Sequence, residues 1–109
     1  MKKIIFLGSG GGGNLKFIHN YSLDVNLFEI IGVFTDRKCG AFEYGEKIGV
    51  HSEILSFVRS NYEDEIFINK IKKLKPDIII TNVHKILSNK IVKAFSGRLI
   101  NLHYSYLPA

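Results

Sequence analysis

The amino-acid sequence predicts an α/β domain in which helices cover both faces of an open, doubly wound, Rossmann-like parallel sheet. Short continuous apolar runs alternate with segments whose apolar residues recur at helical spacing, a pattern typical of strands and helices that alternate around such a sheet. The 109 residues are 46% hydrophobic and 23% charged, which excludes a chain that is mainly disordered. This length predicts a single domain over residues 1–109, with no internal linker and no repeat.

In the first half of the chain, β-branched and aromatic runs bounded by glycines or turn residues predict strands. The first helix is expected to turn Leu15, Ile18 and His19 toward the sheet. Gly49 ends the second helix, because glycine readily adopts the left-handed conformation that follows many helices. The predicted elements are strands over residues 3–7, 28–35 and 50–54 and helices over residues 14–21 and 41–47.

The second half continues the alternation. A helix is predicted over residues 63–74, and Pro76 terminates it. Its apolar residues at helical spacing are Ile66, Phe67, Ile71 and Leu74. The remaining elements are a strand over residues 77–81, a helix that begins at Ser88, carries Ile91, Val92 and Phe95 and is closed by Gly97, and a last strand over residues 98–102.

The formal charge of +5 raises the question of a nucleic-acid partner. Only three of the 15 basic residues are arginines, and the densest run, residues 70–75, lies on the polar face of a predicted amphipathic helix. We therefore interpret this run as a solvated helix face and predict no nucleic-acid partner. The positive field suits a small phosphorylated substrate.

The cysteine and histidine content and the lengths of the apolar runs exclude several further classes of protein. The single cysteine, Cys39, cannot form an intrachain disulfide, and His19, His51 and His84 are too dispersed to predict a metal site. The apolar runs are too short to span a bilayer, and the first residues do not resemble a signal peptide. The sequence therefore predicts a cytoplasmic protein with no membrane partner.

A glycine-rich segment, residues 8–14, joins the first strand to the first helix. Its backbone N–H groups can converge on an anion at the positive end of the helix, which predicts a phosphate site. Two alternatives remain here. A permissive turn needs no ligand, and Gly8, Gly10 and Gly13 also match the G-x-G-x-x-G spacing of dinucleotide-binding proteins, with Asp36 placed where a ribose-binding acid would lie.

Asn101 and His103 end the last strand with two residues that point to the same side. An amide and an imidazole placed together suit the stabilisation of an oxyanion and the transfer of a proton at an amine. On spacing alone, both residues are also common turn formers.

These segments together resemble the amino-terminal half of the folate-dependent formyltransferases, and within that family the glycinamide ribonucleotide formyltransferases of purine synthesis. The resemblance covers essentially the whole chain, and its most specific part is the Asn-x-His-x-Ser-x-Leu-Pro string at the end of a strand. The matching segments, in order, are Gly13-Asn14-Leu15, Thr35-Asp36-Arg37, Lys75-Pro76-Asp77, Lys85-Ile86-Leu87-Ser88, Gly97-Arg98 and residues 101–108.

The resemblance implies a reaction in which a substrate amine attacks the formyl carbon of 10-formyltetrahydrofolate, the co-substrate, through a tetrahedral oxyanion. Asn101 would donate a hydrogen bond to the oxyanion, and His103 would provide charge and proton transfer. The remaining assignments are the phosphate-binding backbone at Gly11, Gly12, Gly13 and Asn14 and a border of the folate pterin pocket at Lys85, Ile86 and Leu87. The implied partners are small molecules, a phosphorylated amine acceptor and a reduced folate.

The sequence departs from the family in several places. Gly13 stands where the family usually has serine, and Tyr104 and Tyr106 stand where it commonly has proline and leucine. The family's third catalytic group, an aspartate that orients the histidine, lies beyond Pro108, so the chain reads as a truncated amino-terminal domain that is inactive alone. The alternatives are a sugar-nucleotide N-formyltransferase, which shares the Asn-x-His chemistry, and a non-catalytic nucleotide-binding module.

Overall fold

Strands and helices alternate along the chain as the sequence predicts. The computed structural model describes residues 1–55, 61–83 and 87–102. The strands within them are β1 (Lys2–Gly8), β2 (Phe28–Thr35), β3 (His51–Ile54), β4 (Ile78–Asn82) and β5 (Leu99–Asn101). The helices are α1 (Gly13–Val25), α2 (Gly40–Lys47), α3 (Asn61–Lys73) and α4 (Asn89–Ala94).

The strands form one parallel sheet in the order β3-β2-β1-β4-β5. Strand β1 therefore lies in the centre, between β2 and β4. Helices α1 and α2 pack on one face of the sheet, and α3 and α4 pack on the other. This confirms the predicted doubly wound, Rossmann-like fold. The chain reverses its direction of winding between β1 and β4, and ligands of such sheets bind at this switch point, beyond the carboxyl ends of the strands.

The core consists of two apolar layers, one on each face of the sheet. Alternate residues of β1 supply both layers: Ile5 and Leu7 face α3 and α4, whereas Ile4 and Phe6 face α1 and α2. Because both faces are buried, the strand carries a continuous apolar run instead of an alternating one. Each fully buried side chain of this size stabilises the fold by roughly 1.5–3 kcal/mol.

Helix α1 is longer than predicted. It continues past residue 21 to Val25 and ends at Asn26, whose φ of 57° is left-handed and whose N–H donates to the Ser22 carbonyl oxygen at 3.0 Å. The apolar periodicity does not show this last turn, because Leu23 is 68% exposed. Leu15 and Ile18 contact the sheet layer as predicted.

The buried face of α3 differs from the predicted one. Ile66 is exposed and Ile68 is buried, so the prediction for Ile66 is wrong, whereas Phe67 and Ile71 are buried as expected. The helix also buries Asp64, which completes a stripe at i, i+3, i+4 and i+7. Because one residue of the buried stripe is charged, the spacing of the apolar residues alone indicated the wrong face of α3.

The other differences are small shifts of element ends. Strand β4 begins at Ile78, one residue later than predicted, and Asp77 before it is bonded to Lys3 of β1, whose N–H donates to the Asp77 carboxylate at 2.8 Å. On α4, Ile91 and Phe95 are buried as expected, and Val92 is exposed. No helix among the described residues combines the length and the apolar character needed to cross a membrane.

Candidate functional site

The carboxyl ends of four strands meet at one edge of the sheet, beyond Gly8, Thr35, Asn82 and Asn101. In the registers, Gly8 pairs with Thr35 on one side and with Asn82 on the other, and Thr81 pairs with Asn101. Adjacent strands lie about 4.8 Å apart, so the end of β1 and the end of β5 are roughly 10 Å apart. The predicted anion loop and the predicted catalytic amide therefore border the same crevice.

The glycine loop, residues 8–14, leads directly into α1, which begins at Gly13. Gly12 is the residue before the first turn, has a φ of 89° and provides no side-chain cap; its carbonyl oxygen accepts the Lys16 N–H at 2.9 Å. The first turn of α1 carries no acidic residue. The four predicted phosphate-binding residues, Gly11 to Asn14, thus surround the positive end of a helix, which favours an anion there.

Within this loop the glycines have different roles. A Cβ added to Gly11 or Gly13 would meet no atom within 4 Å, so these positions face open space. A Cβ added to Gly12 would lie 3.0 Å from the backbone of Ala41, and the positive φ would strain any other residue. Gly12 is therefore required by the fold, and Gly11 and Gly13 leave room for a ligand.

The glycine loop packs on the start of α2. The Ala41 N–H donates to the Gly10 carbonyl oxygen at 3.1 Å, and a Cβ at Gly40 would lie 2.2 Å from the Gly11 carbonyl oxygen. No residue with a side chain fits at position 40 while the loop keeps this shape. The sequence patterns did not single out Gly40, because it stands directly before the predicted start of the second helix, where glycine is a common residue.

A cavity of about 270 Å³ opens between α1 and α2 below the loop. Its lining residues are Gly11, Gly12, Gly13, Lys16, Gly40, Glu43, Tyr44 and Lys47. The Tyr44 hydroxyl is held by a 2.9 Å hydrogen bond to His19 Nδ1, and the two rings meet edge to face. Lys16 and Lys47 add two cations to the field of the helix end, whereas Glu43 opposes it.

Asp36 directly follows β2, and its side chain is only 3% exposed. Arg37 holds both carboxylate oxygens, with Nε 3.3 Å from Oδ1 and a terminal nitrogen 3.1 Å from Oδ2. The hydrogen bonds that Arg37 donates to Asp36, together with the negative charge of that carboxylate, raise the pKa of the Arg37 guanidinium above its usual value. The Asp36 carboxylate is thus engaged in an ion pair with Arg37, and this geometry gives no support to a ribose-binding role in a dinucleotide site.

Asn101 is the last residue of β5 and lies exposed at the crevice. Its Oδ1 accepts a hydrogen bond of 2.9 Å from the Thr81 hydroxyl. Thr81 is 2% exposed and lies opposite Asn101 in the register of β4 and β5. Thr81 was not among the predicted site residues, because a lone threonine in an apolar strand gives no signal before its partner is known.

Three other predicted site residues, His103, Lys85 and Ile86, lie outside the described residues, and their roles stay predictions. Leu87 is described: it is half-buried and packs against the apolar layer under α3 and α4. In the ranges 1–55, 61–83 and 87–102, no group of three or more His, Cys, Asp or Glu side chains could hold a metal ion.

A second polar cluster lies on β3. The Glu53 carboxylate accepts hydrogen bonds from the ring of His51, at 2.9 Å, and from the Lys70 ammonium of α3. Burial alone would raise the pKa of Glu53, but these two hydrogen bonds and the two neighbouring charges together lower it below its usual value. The cluster joins α3 to the edge strand.

The chain is similar to known proteins over almost its whole length. A sequence model of the family described as "Formyl transferase" matches residues 2–109. The chain is 27% identical to phosphoribosylglycinamide formyltransferase (chloroplastic) of Arabidopsis thaliana, over 99% of this chain and 39% of that protein. It is 32% identical to methionyl-tRNA formyltransferase of Buchnera aphidicola, over 97% of this chain and 35% of that protein.

The fold has close counterparts among solved structures. The crystal structure of phosphoribosylglycinamide formyltransferase from Brucella melitensis superposes with a TM-score of 0.87 and 26% identity, over 98% of this chain and 59% of that one. The chain spans between 35% and 59% of the length of these three proteins.

Proposed function

The chain belongs to the formyl transferase family, and on this premise we propose that it forms the amino-terminal part of an enzyme of purine synthesis. That enzyme transfers a formyl group from 10-formyltetrahydrofolate to the amine of glycinamide ribonucleotide. The observation that carries the proposal is the placement of an uncapped helix end and an exposed carboxamide at one crevice, since the first suits the phosphate of the acceptor and the second suits the reacting carbonyl.

The acceptor phosphate lies, in this proposal, against the backbone N–H groups of residues 11–14. The open space beside Gly11 and Gly13 admits an anion close to the backbone. Lys16 and Lys47, which line the cavity beside the loop, add a positive field. Gly13 lacks the hydroxyl of the family's usual serine, so the phosphate is held there by backbone donors.

The chemistry takes place roughly 10 Å away, at the end of β5. The acceptor amine attacks the formyl carbon, and the carbonyl oxygen becomes an oxyanion that accepts a hydrogen bond from the Asn101 amide. His103 removes a proton from the attacking nitrogen and returns it to the folate nitrogen as the old carbon–nitrogen bond breaks. The products are the formylated amine and tetrahydrofolate.

The folate is proposed to lie along the segment Lys85, Ile86 and Leu87, which follows β4 in the chain. β4 lies beside both β1 and β5 in the sheet. A co-substrate beyond the end of β4 would therefore stand between the phosphate loop and the Asn101 carboxamide. This order brings the formyl carbon within reach of both the acceptor amine and the oxyanion donor.

The proposal is tested by formyl transfer in a form of the protein that continues past residue 109. The assay follows the absorbance of the folate product with glycinamide ribonucleotide, a sugar nucleotide carrying a free amine, or methionyl-tRNA as the acceptor. Turnover with glycinamide ribonucleotide that falls in Asn101→Ala supports the proposal. Turnover with one of the other two acceptors alone would contradict the assigned substrate, and no turnover with any acceptor would contradict the activity.

A further inference from the structure

We infer that Thr81 is a positioning residue that sets the orientation of the Asn101 carboxamide. The inference rests on the proposed role of Asn101 as the oxyanion donor. The juxtaposition itself comes from the sheet: the two residues are paired across β4 and β5, and the hydroxyl oxygen lies 2.9 Å from Asn101 Oδ1.

The backbone holds both partners in place. The Leu102 N–H donates to the Thr81 carbonyl oxygen at 2.8 Å, so the chain directly after Asn101 is bonded to β4. Thr81 is 2% exposed and continues a run of three isoleucines, Ile78 to Ile80. An apolar β-branched residue would fill this position as well as threonine does. The hydroxyl is therefore explained by its partner and not by the packing of the core.

The hydrogen bond determines which end of the amide faces the crevice. A carboxamide accepts at its oxygen and donates at its nitrogen, but an oxyanion needs a donor. Because the Thr81 hydroxyl holds Oδ1 against β4, the Nδ2 group points away from β4. A hydrogen bond at Oδ1 also polarises the amide, and this strengthens the donor at the other end.

The first test uses the 109-residue chain and measures the side-chain amide signals of Asn101 by NMR, assigned through their loss in Asn101→Ser. Thr81→Val removes the hydroxyl and keeps the shape, so the Asn101 signals should shift and the two N–H protons should become less distinct. Thr81→Ser should restore them. Thr35→Val is the matched control, since it removes another buried strand-end hydroxyl that donates at 2.7 Å to the Arg37 carbonyl oxygen. Unchanged Asn101 signals in Thr81→Val, or no restoration in Thr81→Ser, would overturn the inference.

The second test measures turnover in the longer form of the protein. Thr81→Val should lower kcat about fivefold, the usual effect of one hydrogen bond, with KM unchanged. Thr81→Ser should stay within about twofold of the wild type, and Thr81→Val should add nothing further in an Asn101→Ala background. Normal turnover in Thr81→Val alongside a large loss in Asn101→Ala would sink the inference and leave the proposed function standing. Normal turnover in Asn101→Ala would instead contradict the proposed role of Asn101, while the NMR result still reports on the hydrogen bond.

Discussion

The carbonyl oxygen of Gly11 occupies the space that a β-carbon on Gly40 would need, at a separation of only 2.2 Å. The shape of the glycine loop is therefore set by a helix that is distant in sequence, and not by the glycines of the loop alone. The adjoining hydrogen bond from the Ala41 N–H to the Gly10 carbonyl oxygen secures the same contact. The loop presents its amides only while α2 stays in place.

This contact predicts that Gly40→Ala destabilises the protein by about 1–3 kcal/mol, the usual cost of forcing extra volume into a packed site. Gly13→Ala is the matched control, because its Cβ would meet nothing within 4 Å, and it should be neutral or stabilise by about 0.5 kcal/mol. Urea unfolding measures both. Equal stabilities for the two variants would contradict the close packing of the loop on α2.

The proposed anion site predicts that inorganic phosphate or glycinamide ribonucleotide shifts the backbone amide signals of residues 11–14 in an NMR titration. Lys16→Met should weaken binding roughly threefold, the effect of removing one exposed charge. Lys93→Met is the control, since Lys93 lies on α4, across the sheet from α1. Gly12→Val should abolish binding through strain at its positive φ. Unmoved amide signals at millimolar ligand would remove the phosphate site.

For catalysis, we predict that Asn101→Ala lowers formyl transfer roughly a hundredfold or more in the longer form of the protein, as for other oxyanion donors. His103→Ala should cost a comparable factor, and the double variant should lose far less than the product of the two, because both groups act on one transition state. The 109-residue chain alone should show negligible turnover. A near-normal rate in Asn101→Ala would mean that residues 101–103 form a turn without a catalytic role.

The Glu53 cluster predicts how stability depends on pH. The folded-state pKa of Glu53 lies below its usual value of 4.5. The stabilisation that the ionised Glu53 side chain gives the folded state is therefore fully present above that value, and it is lost as pH falls through the lower folded-state pKa. Glu53→Gln should flatten the acid limb of stability measured by urea unfolding at stepped pH. Glu65→Gln, which breaks the exposed pair with Lys90, is the control. The same acid limb in wild type and Glu53→Gln would refute the assignment.

The buried Asp36 carboxylate predicts that neither NAD nor NADP binds with micromolar affinity in calorimetry. Asp36→Ala should instead destabilise the protein, because it removes a carboxylate whose side chain is only 3% exposed and that accepts the hydrogen bonds of Arg37 directly after β2. Asp24→Ala, at an exposed position near the end of α1, should change stability little. Micromolar NAD binding that disappears in Asp36→Ala would revive the dinucleotide alternative.

The fold was largely predictable because its central strands are largely buried on both faces and its helices carry one apolar stripe. Strand β2 was predicted at its observed bounds, and its carboxyl end lies where the apolar run gives way to Thr35 and Asp36. Prediction failed where a polar side chain is buried or an apolar side chain is exposed. Asp64 is buried and Ile66 is exposed, so the stripe of α3 was assigned the wrong phase.

The site was predictable only where a feature is local in sequence. The glycine loop and Asn101 are local signals, and both lie at the predicted edge of the sheet. Gly40 and Thr81 act through a Gly11 carbonyl and an Asn101 amide that are 29 and 20 residues away in the chain. Such partners become visible only when the register of strands and the docking of helices are known.

Because β1 lies in the centre of the sheet, the two sides of the crevice are built from two separate stretches of the chain. The glycine loop and the helix α2 that packs on it lie within residues 8–47, whereas the proposed oxyanion donor, Asn101, and its partner Thr81 lie within residues 81–101. Gly8 at the end of β1 pairs with Asn82 of β4, and this pairing joins the two stretches beside the crevice. If the proposed function holds, mutations that change the choice of phosphorylated acceptor fall in the first stretch, and mutations that change the reaction fall in the second.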